Sequence, residues 1–63
     1  MPDHKFEIGQ TVYVERTLMM PGGAYVVTAM LPADRGGEFR YRIKSINETH
    51  ERAVFESQLR ASL

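Results

Sequence analysis

The sequence contains neither cysteine nor tryptophan in its 63 residues. Without cysteine there is no disulfide framework, no thiolate metal site and no thiol nucleophile. Eight Lys and Arg residues balance eight Asp and Glu residues, so the formal net charge is zero. No overall field therefore draws the chain to nucleic acid or to an anionic membrane, and any electrostatic attraction must come from a local group of charges.

Long apolar runs are also absent. No stretch approaches the roughly 20 apolar residues of a membrane span, and no apolar run follows the first residues as it would in a signal peptide. We therefore expect a cytoplasmic protein with a single domain over residues 1–63, in which 1–7 is a polar lead-in and 61–63 a frayed end. A domain of this size buries only about 60% of the surface that its unfolded chain exposes, so its stability must come from packing or from a partner.

The clearest pattern present is an alternation of apolar and basic residues over 39–46, Phe-Arg-Tyr-Arg-Ile-Lys-Ser-Ile. Such alternation predicts a half-buried strand, because successive side chains of a strand point to opposite faces. The predicted inward residues are Phe39, Tyr41 and Ile43, and the predicted outward residues are Arg40, Arg42 and Lys44. We expect this strand to be the central one of a sheet.

Three other segments have strand patterns, and they cover residues 11–16, 24–31 and 51–56. A single helical turn is predicted over 57–60, with Ser57 as its N-cap. Four strands with these spacings are too few for a β-sandwich and suit a strongly bent barrel. The predicted fold is therefore all-β, a small antiparallel barrel of four to five strands with a short C-terminal helical turn.

The apolar pattern also predicts which residues face one another, because a slip of one residue would turn apolar side chains to the wrong face. Between the second and third strands, the predicted pairs are Leu31 with Phe39, Ala29 with Tyr41, and Val27 with Ile43. Between the third and fourth strands, they are Ile43 with Val54 and Arg42 with Phe55. Both registers gather the apolar residues on one face.

A family resemblance is carried by three parts of the chain. They are Gly-Gln-Thr-Val-Tyr-Val at 9–14, Pro-Gly-Gly-Ala-Tyr-Val-Val at 21–27, and a closing part with Tyr-Arg-Ile-Lys-Ser at 41–45, His-Glu-Arg-Ala-Val at 50–54 and Glu-Ser-Gln-Leu at 56–59. Together they resemble a family of short uncharacterised bacterial proteins with an SH3-like β-barrel. The resemblance spans residues 6–59; it implies the fold and no particular activity.

Two binding modes of SH3-like barrels do not suit this sequence. Peptide-binding SH3 domains resemble one another in a Trp beside paired tyrosines, and this chain has no Trp. Tudor-like domains hold their ligands in a cage of several aromatic residues. Tyr13 is the only tyrosine that the strand patterns direct outward, so such a cage is not expected.

The basic row Arg40, Arg42 and Lys44 is the candidate binding surface, with Arg52 on the next strand and Arg35 in the preceding loop. One interpretation is a solvated strand face that discourages edge pairing. Another is a surface for the backbone of a nucleic acid, which would use stacking together with phosphate contacts. Neighbouring glutamates could neutralise the row through cross-strand pairs. They are Glu38, Glu48, Glu51 and Glu56.

Phe55, Met30 and Val26 are predicted on the same outer face as the basic row. If exposed, they form an apolar patch ringed by cations, which is typical of a protein contact. Alternatively, Phe55 is covered by Phe6 or by the loop at 18–20, and this loop itself either closes the core or forms a contact surface. The loop residues are Leu18, Met19 and Met20.

No group of residues has the spacing of a catalytic or metal site. His4 and His50 lack a second ligand at metal spacing, and no motif places a histidine and an acid beside Ser45, Ser57 or Ser62. We therefore predict that the protein is not an enzyme and has no metal, cofactor or small-molecule substrate.

The function predicted from the sequence is a non-enzymatic interaction module that binds another protein, with self-association as a homodimer as one form of it. The alternative is a nucleic-acid-binding barrel that uses the strand face of Arg40, Arg42 and Lys44. No membrane partner is expected.

Overall fold

Five antiparallel strands form one sheet in the computed structural model, which describes residues 4–18 and 21–61. The strands are β1 (Thr11–Val14), β2 (Gly23–Leu31), β3 (Arg40–Ser45), β4 (Glu51–Phe55) and β5 (Leu59–Ala61). One 3₁₀ turn, η1 (Glu56–Gln58), separates β4 from β5 and is the only helical element of the described residues. The all-β prediction is confirmed.

The fifth strand is the main feature that the four predicted strands leave out. The helical turn expected at 57–60 begins one residue earlier, after Phe55, so Ser57 lies inside the turn and is not its N-cap. Leu59 then enters β5, which pairs with β1 through Val14, and its side chain is buried. Ala61 is the last residue of β5.

The order of the strands requires the sheet to bend strongly. The order is β4-β3-β2-β1-β5, so β4 and β5 are the two edges. Neighbouring strands lie about 4.8 Å apart, and the edges of a flat five-stranded sheet would be separated by about 19 Å. The three residues of η1 cannot span that distance, because a 3₁₀ turn rises only about 2 Å per residue. The two edges therefore approach each other at the end that carries η1.

A bulge in β2 changes two of the three predicted pairs between β2 and β3. Val27 faces Ile43 as expected, but the register shifts between Val27 and Ala29. Thr28 is the extra residue, and its hydroxyl donates to the carbonyl of Arg42 at 3.1 Å. Beyond the bulge the pairs are Ala29 with Arg42, Met30 with Tyr41, and Leu31 with Arg40. The predicted pairs Ala29 with Tyr41 and Leu31 with Phe39 are therefore wrong by one residue.

The register between β3 and β4 differs from the prediction by two residues. The pairs are Tyr41 with Val54 and Arg40 with Phe55, where we expected Ile43 with Val54 and Arg42 with Phe55. The predicted register pairs Ile46 with Glu51 and leaves four residues between the strands. The observed connection is longer, because Ser45 already begins a turn. Its carbonyl accepts from the amide of Glu48 at 3.2 Å and its hydroxyl from the amide of Asn47 at 3.2 Å. A shift of two keeps every side chain on its predicted face.

The core lies on the inner face of the bent sheet. Within residues 4–18 and 21–61 it has nine buried residues, and Phe39 packs against them half-buried. They are Phe6, Val12, Val14, Tyr25, Val27, Tyr41, Ile43, Val54 and Leu59. Full burial of a large apolar side chain stabilises a fold by about 1.5–3 kcal/mol. The inward assignments of Tyr41 and Ile43 are confirmed.

The N-terminal segment closes one end of this core. The His4 ring packs on Phe39, with centroids 4.1 Å apart, and its Nε2 lies 2.8 Å from the carbonyl of Leu31. Phe6 inserts edge-on against Tyr41, at a centroid distance of 5.6 Å. The predicted polar lead-in at 1–7 therefore contains two residues, His4 and Phe6, that pack against the core. Their rings cover the open end of the sheet.

Candidate interaction surface

The outer face of β2, β3 and β4 carries most of the predicted site. Cross-strand partners project to the same side of a sheet, so the register groups these side chains into rows. We use "outer face" for Val26, Thr28, Ala29 and Leu31 of β2, Arg40, Arg42 and Lys44 of β3, and Glu51, Ala53 and Phe55 of β4. The basic row runs along its middle strand.

Arg40 occupies the first row, between Leu31 and Phe55. Its side chain is half-buried, and its Nε is buried without a hydrogen-bond partner within residues 4–18 and 21–61. Among the described carboxylates, none forms an ion pair with it. An unpaired N–H of a charged group removed from water costs free energy, which a ligand with an acceptor oxygen could recover.

Arg42 occupies the second row, opposite Ala29 and Ala53. Its Nε lies 3.6 Å from a carboxylate oxygen of Glu51, and both side chains are about half exposed. Exposed ion pairs of this kind contribute about 0–1 kcal/mol. Arg42 therefore has an acidic neighbour, as the sequence analysis allowed, but it is only loosely held.

Lys44 occupies the third row, with Val26 on one side and Glu51 on the other. It is exposed, and no ion pair joins it to a carboxylate in the described part of the chain. Arg40 and Lys44 are therefore the two cations of the outer face that form no ion pair with a described carboxylate, and we call them unneutralised; Glu51, opposite Lys44, is paired with Arg42.

Phe55 is 38% exposed and lies beside Arg40 instead of Arg42. Leu18 is fully exposed and does not cover it, while Met19 and Met20 lie outside the described residues. Val26 is half-buried in the row of Lys44. The ring of Phe55 thus presents part of its surface next to an unpaired guanidinium.

Met30 is separated from the rest of the predicted site by the bulge. It lies opposite Tyr41, so it does not share the outer face that we predicted for it with Val26 and Phe55. Its side chain is 45% exposed, near the end of β2. Leu31 takes the position beside Arg40 instead, and the sequence pattern alone did not indicate it.

Arg52 and Arg35 do not join the basic row. Arg52 alternates with Ala53 and faces Ile43, on the side of the core. It donates to both carboxylate oxygens of Glu48, at 3.0 and 3.3 Å. This pair lowers the pKa of Glu48 and raises that of Arg52, chiefly through the hydrogen bonds. Arg35 is exposed in the loop between β2 and β3.

A shallow cavity of about 160 Å³ lies at the other end of the sheet, between the end of β1, η1 and β5. An exposed ion pair, Arg60 to Glu15 at 2.9 Å, lies at this cavity. Its lining residues are Val14, Glu15, Thr17, Ser57, Gln58 and Arg60. No sequence pattern indicates this cavity, because it forms only when β5 pairs with β1.

The described residues include no cluster of three His, Asp or Glu side chains that could hold a metal ion. His50 lies 3.9 Å from a carboxylate oxygen of Glu48, on an exposed turn. Within the same residues, no helix is long and apolar enough to cross a membrane.

In the part of the chain that the structure describes, these features define a small all-β fold, with five antiparallel strands in one bent sheet and a single 3₁₀ turn between its edges. Comparison of the chain with protein-family models, with curated proteins and with solved structures found no match. The resemblance to a family of short bacterial SH3-like proteins therefore stays a prediction.

Proposed function

We propose that this protein is a non-enzymatic interaction module that binds another protein through the outer face of β2, β3 and β4. The observation that carries the proposal is the pair of unneutralised cations, Arg40 and Lys44, set among the apolar side chains of Val26, Leu31 and Phe55. A half-buried Arg flanked by apolar side chains is a common centre of a protein interface. The partner would present acidic side chains beside apolar ones.

We also propose that the bent sheet is wound as a small SH3-like barrel. The strand order and the three-residue connection between the edge strands support this winding, since both require the edges to curl towards each other. The family resemblance of residues 9–14, 21–27 and 41–59 supports it independently. The cytoplasmic location stays a prediction from the sequence.

Nucleic-acid binding is the less favoured alternative, because most strand cations already have acidic neighbours. Arg42 is beside Glu51, and Arg60 is paired with Glu15. Proteins that bind nucleic acid through phosphate contacts use several free cations, and their affinity falls steeply with salt. One half-exposed ring, that of Phe55, is also a small platform for stacking bases.

The experiment that separates the two functions is a chemical-shift titration of the isotope-labelled protein with fractions of a cell extract, before and after nuclease treatment. We expect shifts at the amides of Arg40, Lys44 and Phe55 that survive the nuclease. The double variant Arg40→Glu/Lys44→Glu should lose them, because it reverses both unneutralised charges.

The matched control is Arg35→Glu, the same reversal at an exposed loop residue away from the face. With the same extract fractions, this variant should show the same chemical-shift changes as the wild type. Shifts that vanish with nuclease and weaken with salt would favour nucleic acid instead. Shifts confined to other parts of the sheet would contradict both functions at this surface.

A further inference from the structure

The free edge of β4 presents backbone groups that its own sheet does not use. Glu56 donates its amide to the carbonyl of Phe39 at 2.9 Å, in register with the ladder between β3 and β4. Hydrogen-bonded and non-hydrogen-bonded pairs alternate along an antiparallel ladder. Val54 and Arg52 therefore direct their amides and carbonyls to β3, whereas those of Ala53, two residues before Phe55, point away from the sheet.

One of the outward amides is already occupied. The N–H of Phe55 donates to the side-chain oxygen of Gln58 at 2.8 Å. No described side chain makes a hydrogen bond to the backbone of Ala53 or Glu51. Gln58 thus covers one end of the edge and leaves its middle open.

The edge of β4 has few of the devices that prevent strand pairing, because its one inward-pointing charge, Arg52, is neutralised by Glu48. Proteins protect such edges with proline, lysine, bulges or very short strands. The five residues of β4 include no proline or lysine, and their register with β3 is regular. The other edge, β5, is only three residues long. β4 is therefore the better of the two edges for adding a strand.

A second copy of β4 matches this edge in one antiparallel register. A two-fold axis at Arg52 would set like charges directly opposite each other, and an axis at Ala53 would set Glu51 against Phe55. An axis at Val54 sets Val54 against itself and Ala53 against Phe55, and it sets no like charges opposite each other. Arg52 keeps its pair with Glu48, and Glu56 keeps its hydrogen bond from Tyr41. Apolar pairs and opposite charges are the favourable cross-strand combinations.

We propose that two copies of this chain associate through antiparallel pairing of their β4 edges about an axis at Val54. Ala53 and Phe55 of opposite copies then exchange both backbone hydrogen bonds, once on each side of the axis. The exposed part of the Phe55 ring covers Ala53 of the second copy, close to the Arg42 that faces that alanine. The N–H of Phe55 leaves Gln58 to make the new bond. This inference goes beyond the proposed function, because it rests on edge backbone groups and not on the unneutralised cations.

The test is sedimentation equilibrium of the full chain from micromolar to millimolar concentration, with NMR to verify folding. We expect the wild type to reach the mass of a dimer and Ala53→Pro to stay monomeric. Proline at this position removes only the outward N–H, so the ladder to β3 is kept. If Ala53→Pro does not fold, Ala53→Lys replaces it, since a lysine opposite the second copy's Phe55 also opposes pairing.

The variant Gln58→Ala tests the same pairing by strengthening the dimer instead of weakening it. It frees the N–H of Phe55, so the dimer dissociation constant should fall about fivefold. Arg35→Glu, at an exposed loop residue outside the sheet, is the control for charge alone, and it should dimerise like the wild type. A folded wild type that stays monomeric at millimolar concentration would overturn the inference. An equal dissociation constant for wild type and the Ala53 variant would overturn it as well.

Discussion

At the scale of single residues, Tyr41 joins the core to the N-terminal segment. Its buried hydroxyl donates to Glu56 at 2.5 Å and accepts from the amide of Phe6 at 3.2 Å, and the amide of Lys5 donates to the same carboxylate at 2.9 Å. Burial raises the pKa of Tyr41, with a further contribution from Glu56. The hydrogen bond from Tyr41 lowers the pKa of Glu56. The tyrosine thus stays a donor and the glutamate an acceptor at neutral pH.

These shifts predict how stability depends on pH. Because the folded state lowers the pKa of Glu56 below its ordinary value of 4.5, its contribution is present above that value and is lost as the pH falls through the folded pKa. Glu48, held by Arg52, acts in the same direction. Urea unfolding at a series of pH values should therefore show stability falling below about pH 4.5.

The variant Glu56→Gln isolates this residue. It should be less stable than the wild type at neutral pH and lose less stability on acidification, because the amide does not titrate. The control is Glu7→Gln, at an exposed glutamate whose side chain makes no hydrogen bond within the described residues. An acid dependence that is the same in Glu56→Gln and wild type would contradict the assignment.

At the scale of elements, the loop between β1 and β2 depends on a close approach at Gly22. A Cβ atom on Gly22 would lie 2.8 Å from the backbone nitrogen of Arg16, which is closer than van der Waals contact allows. We expect Gly22→Ala to destabilise the fold by about 1–3 kcal/mol, because two backbone segments must separate. The free energy of unfolding in urea measures this effect.

Gly36→Ala is the matched control in the next loop. There a Cβ atom would meet only a carboxylate oxygen of Asp34, at 3.4 Å. Its stability should stay within about 0.5 kcal/mol of the wild type, or rise slightly because the unfolded chain loses freedom. If the two variants lost equal amounts of unfolding free energy, the close approach between Gly22 and Arg16 would not be the cause of the destabilisation.

The strands themselves could be predicted from periodicity, but their exact pairing could not. The alternation of apolar and basic residues in 39–46 identified β3 and its two faces. An antiparallel strand with one buried and one solvent-exposed face has this alternation. The bulge at Thr28 has no such signal, since its hydroxyl bond to the Arg42 carbonyl exists only when the two strands meet. β5 was missed because three residues are too short for a periodic pattern.

At the scale of the whole molecule, Phe6 completes a core that is small for a folded domain. A chain of this length has a stability of roughly 3–9 kcal/mol. Phe6 is 6% exposed and packs against Tyr41, so Phe6→Ala should cost about 3 kcal/mol and leave a substantial unfolded fraction. Thermal unfolding followed by circular dichroism measures the change.

Phe55→Ala is the comparison, because it removes the same side chain from the outer face. At 38% exposure its loss should cost only about 1 kcal/mol, so this variant remains usable in binding experiments. If Phe55→Ala were the more damaging of the two, Phe55 would belong to the core and not to an interaction surface.

The sequence by itself determined the all-β class, the inward and outward faces of β3, and the basic row of Arg40, Arg42 and Lys44. These properties follow from the side-chain period of two, which is local to each strand. Only the tertiary structure decided which apolar residues join that row. The bulge replaced Met30 with Leu31, and the longer turn brought Phe55 to Arg40. Both changes arise from contacts between strands, which no single strand pattern contains.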